Sequence, residues 1–226
     1  MSHGKQFTLY THAGGPNGWK IAFVLEELGL TYESIYLDFT KGEQKAAAYT
    51  KYNPNGRIPA IIDHKNSDFV IWESGAILLY LVDKYDPEHK ISASTELDKY
   101  RQTQWLFFQT SGQGPYFGQA GYFLVIHPEK IPSAIERYMK EIKRVWGVLD
   151  GVLKEREWLV GDHMTIADTA FITWNESGKG MFMMSQEGYD FEKEYPALAK
   201  WHNAMINRPK IKNLLAEKAA IAPPHH

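Results

Sequence analysis

Along the first third of the chain the apolar residues change period several times, and each change marks an element. Phe7 to Tyr10 reads as a short strand. Trp19 to Leu28 follows as a helix, with Ile21, Val24, Leu25 and Leu28 on the i, i+3, i+4, i+7 stripe. Gly29 is a natural stop, and Tyr32 to Leu37 alternates like a strand. Strand, helix and strand fit within the roughly thirty residues of a right-handed crossover unit, so the two strands should be parallel. After a short helical stretch near Lys45 to Tyr49, two further strands are expected over Ile58 to Ile62 and Phe69 to Trp72. The polar turn Asp63 to Asp68 joins them as a hairpin. Ser74 then caps a helix carrying Ile77, Leu78, Leu81 and Val82, which Asp86-Pro87 ends.

Beyond this point no strand pattern recurs. The turn-prone Asp86 to Thr95 is the best boundary, and the remaining signals are helical over Glu96 to Thr110, Pro132 to Glu155, Ile166 to Trp174 and Pro196 to Ile206. Ile135, Met139, Ile142, Val145, Leu149 and Val152 give the second of these an apolar stripe. The expected organisation is an α/β domain over 1–87, a linker over 88–94 and an all-α domain over 95–226.

Composition narrows the chemistry. With 226 residues the chain can bury a substantial core. Its 25 basic and 27 acidic side chains nearly cancel, so no global field gathers nucleic acid or an anionic membrane. The absence of cysteine excludes disulfides, thiolate metal sites and a cysteine nucleophile, so any thiol chemistry must use a thiol from outside. Residues Met1 to Thr11 have neither a signal-peptide apolar run nor an Arg-rich amphipathic face, which makes a cytoplasmic location the expectation. No run of about 18 apolar residues spans a bilayer. Nine histidines include no zinc-protease spacing, and no metal is expected. The tail Pro223-Pro224-His225-His226 has the look of a tag remnant and is set aside from function.

Three motifs offer chemical handles. At Gly15-Pro16-Asn17-Gly18 a helix opens beside an amide side chain that can cap it or donate to a thiolate. A free thiol has a pKa near 8.5, and lowering it by about two units takes roughly 2.7 kcal/mol of differential stabilisation. In Arg57-Ile58-Pro59 a proline opens a strand, which marks a sheet edge. A cis bond there would let the Ile58 backbone pair with an extended peptide, whereas a trans proline would simply start the strand. At Glu73-Ser74 a hydroxyl and free helix-start amides suit a carboxylate, beside an acid that suits an ammonium. Read alone, Ser74 only caps its helix and Glu73 is solvated. In this order the three describe a receptor for a small zwitterionic peptide thiol.

The stretches Pro16-Asn17-Gly18-Trp19-Lys20, Asn53-Pro54-Asn55-Gly56-Arg57-Ile58-Pro59-Ala60 and Ile71 to Leu79, followed by a helical remainder, resemble the cytosolic glutathione transferases over essentially the whole chain. The likeness is to the fungal and bacterial subgroup around the prion-forming yeast nitrogen regulator, sometimes grouped with the nu class. It implies a thioredoxin-like N-terminal domain that binds glutathione as cosubstrate, a helical domain shaping the acceptor pocket, a homodimer and a role in detoxification. By motif position, Asn17 would sit by the glutathione sulfur, Arg57 and Ile58 along its cysteinyl and glycyl part, and Glu73 with Ser74 at the γ-glutamyl end. Pro59 would be cis. Gln44 stands where relatives can show His for the glycyl carboxylate, with Lys45 as a compensating neighbour. Gly15 stands where the subgroup often has Thr. Thr165-Ile166-Ala167-Asp168 matches the family's capping box, and Thr165 and Asp168 can also satisfy helix-end donors reciprocally on physical grounds.

Other signals are set lower. Tyr10, at a strand end, is a weaker candidate than Asn17 for the thiol. Gly112-Gln113-Gly114 lacks the preceding strand of a nucleotide loop. Tyr116, Phe117, Tyr122 and Phe123 suit either an apolar acceptor pocket or a core. Asn175-Glu176-Ser177 matches a glycosylation sequon by chance. The leading reading is an enzyme that lets glutathione attack an apolar electrophile, a peroxide or a disulfide. The alternatives are a non-catalytic glutathione-binding regulator and a carrier of apolar ligands.

Overall fold

Strand β1 (Phe7–Thr11) lies inside a four-stranded sheet of order β2-β1-β3-β4. It runs parallel to β2 (Tyr32–Tyr36), with Leu9 opposite Ser34, and antiparallel to β3 (Ala60–Asp63), with Leu9 opposite Ile61. The parallel pair is joined, as expected, through α1 (Pro16–Leu28), and β3 forms the expected hairpin with β4 (Phe69–Trp72). Between β2 and β3 lie two 3-10 turns, Phe39–Lys41 and Glu43–Lys45, and the short helix α2 (Ala47–Thr50). Helix α3 (Ser74–Tyr85) completes the unit and packs beside α1. This computed structural model describes residues 4–221; the tail-like residues 223–226 lie outside them.

Local chemistry explains where the elements begin. Helix α1 starts at Pro16, three residues before the expected Trp19, because a proline at the first position loses only a donor that no helix uses. It stops at Gly29, whose φ of 69° lets the chain leave through the left-handed region. Strand β3 begins at Ala60, not Ile58, since Pro59 has no N–H for the ladder. Helix α3 begins at Ser74, so the cap position falls to Glu73.

The rest of the chain is helical. Helix α4 (Glu96–Phe108) passes through a π turn at Gln109–Gln113 into α5 (Gly114–Gly121), and a second π turn follows at Tyr122–Ile126. The long α6 (Pro132–Leu153) buries Ile142, Val145, Trp146 and Leu149. Four aromatic rings surround Trp146, those of Phe117, Phe182, Phe191 and Tyr195. The expected helix over Ile166 to Trp174 is two pieces, α7 (Ile166–Thr169) and α8 (Ile172–Ser185), before α9 (Phe191–Glu194), α10 (Pro196–Ile206) and α11 (Pro209–Ile221). The Thr165-Asp168 capping box forms. Asp168 is fully buried and also accepts from the Leu159 amide and the Trp201 indole, each at 2.9 Å.

Two compact units result: residues 4–91 together with 207–221, and Ser92–Ile206. The sequence partition places everything after residue 95 in the helical half, but the packing of α11 joins it to the sheet. Arg208 holds Glu27 through two hydrogen bonds of 3.1 and 2.9 Å, Lys210 donates to the Glu26 carbonyl at 2.6 Å, and the Tyr36 hydroxyl donates to Glu217 at 3.2 Å. Ile211 and Leu214 are buried beneath them.

Candidate active site

The loop leading into α1 is tied down at both ends. The Gly15 amide donates to the His12 carbonyl at 3.1 Å, and the Trp19 indole donates back to the Ala13 carbonyl at 2.9 Å. Asn17 is therefore held in the first turn of α1, half-buried, as the second helical residue and not the cap that the sequence suggests. At this position the free helix-start amides and the positive end of the peptide dipoles are its neighbours. Gly15 meets the second motif: a β-carbon on it would stand 3.2 Å from Ile58 Cδ1.

The second motif is a loop braced from below. The Tyr49 hydroxyl and Asn53 Nδ2 both donate to the Arg57 carbonyl, at 2.5 and 2.7 Å. Asn53 also accepts from the Asn55 amide at 3.0 Å, so one buried side chain fixes two points of the turn. Gly56 has φ 61° and lies against the Gln44 carbonyl and the Lys45 side chain, where a β-carbon would come within 2.9 Å of both. Lys45 Nζ in turn reaches the Asn55 carbonyl at 3.2 Å. Gln44 is thus seated on this loop, and its Oε1 is buried with no hydrogen-bond partner among the described residues. The Ile58-Pro59 bond is cis, and the Arg57 side chain is exposed.

The third motif turns on an unusual backbone. Glu73 adopts φ 72° and ψ 116°, rarely visited by a residue with a side chain, and stays exposed while the next residue, Ser74, goes inside at 6% exposure. There Ser74 Oγ receives a hydrogen bond from Lys20 Nζ at 3.4 Å. Lys20 is only 1% exposed. Burial pushes its ammonium down to about pKa 7, with the Glu73 charge acting in the opposite direction.

Reading by motif missed the role of Lys20. The signal was present: a lone cation between Trp19 and Ile21 in the most apolar stretch of α1, three residues after Asn17 and hence on the same helix face. Tyr10, the competing candidate, packs its ring on Tyr49 and Tyr52 at 5.3 and 5.2 Å. Burial, followed by the Tyr52 phenol, pushes its hydroxyl up to about 12, which suits a core ring and not an acid-base group near neutrality.

Contacts therefore link all three motifs and Gln44 within the first unit. Gly15 joins the α1 loop to Ile58, Gly56 joins the Arg57 loop to Gln44, and Lys20 joins α1 to Ser74. A helix-start amide, an exposed backbone beside a proline and a carboxylate-hydroxyl pair supply donors and acceptors for an extended zwitterion. A separate cleft of about 560 Å³ in the same unit is bordered by Glu26, Tyr32, Tyr36, Lys210 and Glu217, and none of the expected site residues lines it. Among the described residues no three acidic or histidine side chains gather as metal ligands, and no helix is long and apolar enough to cross a membrane.

In the helical unit Phe117 is fully buried against Trp146 and Trp174, so it is core. Phe123 stacks on Tyr138 at 5.7 Å, and Tyr122 is 40% exposed. Asn175 is buried and accepts from both Gln113 and the Trp146 indole, which removes the sequon from consideration.

Sequence comparison places this geometry. Residues 5–83 match the glutathione S-transferase N-terminal domain, and residues 115–209 match the C-terminal domain. The chain belongs to the glutathione S-transferase family. It is 50% identical over 233 residues to glutathione S-transferase 2 of Schizosaccharomyces pombe, covering 100% of both chains. It is 40% identical over 240 residues to the transcriptional regulator URE2 of Saccharomyces cerevisiae, covering 91% of this chain and 66% of that one. Among solved structures it superposes on the glutathione transferase URE2P6 of Phanerochaete chrysosporium, in complex with oxidized glutathione, with a TM-score of 0.93 at 60% identity over 98% and 100% of the two chains. A second, Ure2p5 of the same organism cocrystallized with 1-(S-glutathionyl)-2,4-dinitrobenzene, gives 0.90 at 56% identity over 100% of both. The expected family and fold class, a thioredoxin-like unit followed by a helical one, therefore hold.

Proposed function

We propose that this protein is a glutathione transferase whose site binds the tripeptide along the three motifs and directs its thiolate at an electrophile. The observation that carries this reading is the Asn17 amide, held in the first turn of α1, in a unit where contacts tie that helix to Ser74 and its entering loop to Ile58. Glu73 takes the γ-glutamyl ammonium and Ser74 its carboxylate. The Arg57 and Ile58 backbone lies along the cysteinyl and glycyl part beside Pro59, and Gln44 offers its amide to the glycyl end. Asn17 donates to the sulfur. Its hydrogen bond and the helix terminus together lower the thiol pKa, and positioning does the rest, since the chain has no nucleophilic cysteine of its own.

The electrophile is chosen by residues outside this set. Conjugation to an apolar carbon, peroxide reduction and disulfide reduction all begin from the same thiolate. The protein works in the cytoplasm as a homodimer. The dimer is supported by Leu97, Tyr100 and Phe107, a stripe along α4 that is 65, 66 and 66% exposed. A non-catalytic regulatory role is the second reading, favoured by the likeness to URE2.

Calorimetry with glutathione, followed by turnover of an aryl halide, an isothiocyanate, a hydroperoxide and a mixed disulfide, separates the two. Saturable binding with turnover of at least one substrate is expected. Binding with no turnover of any overturns the catalytic reading.

A further inference from the structure

We infer that Lys20 is a positioning residue that sets the direction of the Ser74 hydroxyl, so that the site takes up a peptide carboxylate well only while Lys20 carries its proton. This rests on the assignment of Ser74 to the γ-glutamyl carboxylate. The geometry is a relay from inside to outside: Lys20 Nζ, buried within the helix pair, faces Ser74 Oγ at 3.4 Å, and Ser74 is the first residue of α3.

The directionality follows from counting hydrogens and lone pairs. A lysine ammonium has three N–H donors and no acceptor. Facing Ser74, it can only donate, and it occupies a lone pair of the hydroxyl. Serine has a single O–H, and with Lys20 protonated that hydrogen is free to point at a carboxylate. A neutral amine has a lone pair and can accept the serine hydrogen, which turns the hydroxyl inward and presents an oxygen lone pair to an anion. Losing the proton also removes the positive charge behind the site.

The switch lies near neutrality because burial lowers the lysine to about 7, with Glu73 opposing. The other elements packed on α1 hold their charges elsewhere. Strand β1 presents Thr11 to Gly18, while Arg208, just before α11, and Lys210 within it engage Glu27 and the Glu26 carbonyl at the far end of α1. His12, in the entering loop, is shifted down by burial and feels Asp38 and Lys218. By linkage, a bound carboxylate must raise the lysine pKa by the factor through which deprotonation weakens binding.

The test uses the full protein and S-methylglutathione, whose sulfur cannot ionise, with calorimetry from about pH 6 to about pH 8.5. Wild type should bind about tenfold more weakly at the upper end, the effect of a one-unit rise in the lysine pKa on binding. Lys20→Arg, permanently charged, should bind as at low pH throughout and keep only the titration of the ligand amine. Lys20→Met should be weak at every pH. In turnover assays the wild-type KM should rise with pH on this profile, while kcat follows the thiol. Equal pH dependence in wild type and Lys20→Arg overturns the switch. If the variants do not fold, nitrogen NMR of lysine-labelled wild type serves: a ligand-induced rise in the Lys20 pKa supports it, and an unmoved pKa overturns it. Binding of S-methylglutathione that Ser74→Ala leaves unchanged overturns the carboxylate assignment, and the switch falls with it. A flat wild-type profile with a normal Ser74→Ala loss overturns the switch alone.

Discussion

Gly18 lies so close to Thr11 that a β-carbon on the glycine would stand 1.8 Å from the threonine hydroxyl oxygen and 2.7 Å from its β-carbon. The glycine of the Pro-Asn-Gly motif is required by proximity to β1, because its own φ is ordinary. Gly18→Ala should displace the first turn of α1, lower stability by about 1 to 3 kcal/mol as overpacking does, and weaken glutathione binding through Asn17. Thr11→Ala in the same chain should restore part of both, since it removes the nearer clash. Thermal unfolding and calorimetry check this. An alanine variant as stable as wild type would show that the turn can yield.

The Arg57 carbonyl is held by two donors from below, Tyr49 and Asn53. Tyr49→Phe and Asn53→Ala should each lower glutathione affinity by about 1 kcal/mol, roughly fivefold, by loosening the loop beside Ile58. The double variant should lose more than the sum, because each donor partly covers for the other. Dissociation constants for the four proteins test it, and strict additivity would mean that the two bonds act separately.

Asn17→Ala removes the side-chain donor assigned to the sulfur. The thiolate absorbance of bound glutathione at neutral pH should fall, with the bound-thiol pKa rising by about one to two units and kcat falling about ten- to a hundredfold. Ser74→Ala should do the reverse, leaving the bound-thiol pKa in place while affinity drops by at most about 1.5 to 3 kcal/mol, the range for a hydrogen bond to a charged group. An unmoved thiol pKa in the first variant would transfer the activating role elsewhere.

In the helical unit His202 is fully buried, with Nε2 2.7 Å from Glu176 Oε1 and Nδ1 without a hydrogen-bond partner among the described residues. Burial lowers its pKa, aided by Lys179 and opposed by Glu176, so the folded protein holds the ring neutral. Burial pushes the Glu176 carboxyl up, but the His202 hydrogen bond and the Lys179 charge outweigh it and hold the acid below its usual range, so it stays ionised. A histidine depressed on folding contributes stability that is present above its unfolded pKa near 6.5 and is lost as pH falls toward the folded value. The unfolding midpoint should therefore decline as pH drops from about 6.5 to about 5, and His202→Gln should flatten that slope. A wild-type midpoint independent of pH in that window would reject the account.

Apolar patterning and turn residues located each described strand and α1, although β1, β3 and the Gly18 to Leu25 stretch of α1 are buried almost throughout and not on one face alone. The short crossover and the polar hairpin turn announced the parallel pair and the hairpin, but not the antiparallel pairing of β1 with β3 that joins them. Element starts were less legible. Pro16 can open a helix without belonging to the apolar stripe, and the backbone of Glu73, which moves the cap away from Ser74, is imposed by the turn out of β4. No local pattern announces the break at Ala170-Phe171 that divides Ile166 to Trp174 into two helices, nor that the buried Asp168 carboxylate serves amides and an indole from several segments. The candidate site was readable as motifs, but the contacts joining them were not. The burial of Lys20 depends on the approach of α3, and the support of Arg57 depends on Tyr49 eight residues away.

The return of α11 to the sheet has a consequence for biosynthesis. The first unit holds its strands by residue 72, yet α11, which covers α1, and Arg208 before it, which clasps Glu27, emerge only after the entire second unit has been translated. On the ribosome the nascent sheet must wait, with that flank of α1 bare, while the helical unit is made. A chaperone that recognises exposed apolar helix faces would find its longest opportunity there, and the emergence of α11 would end it.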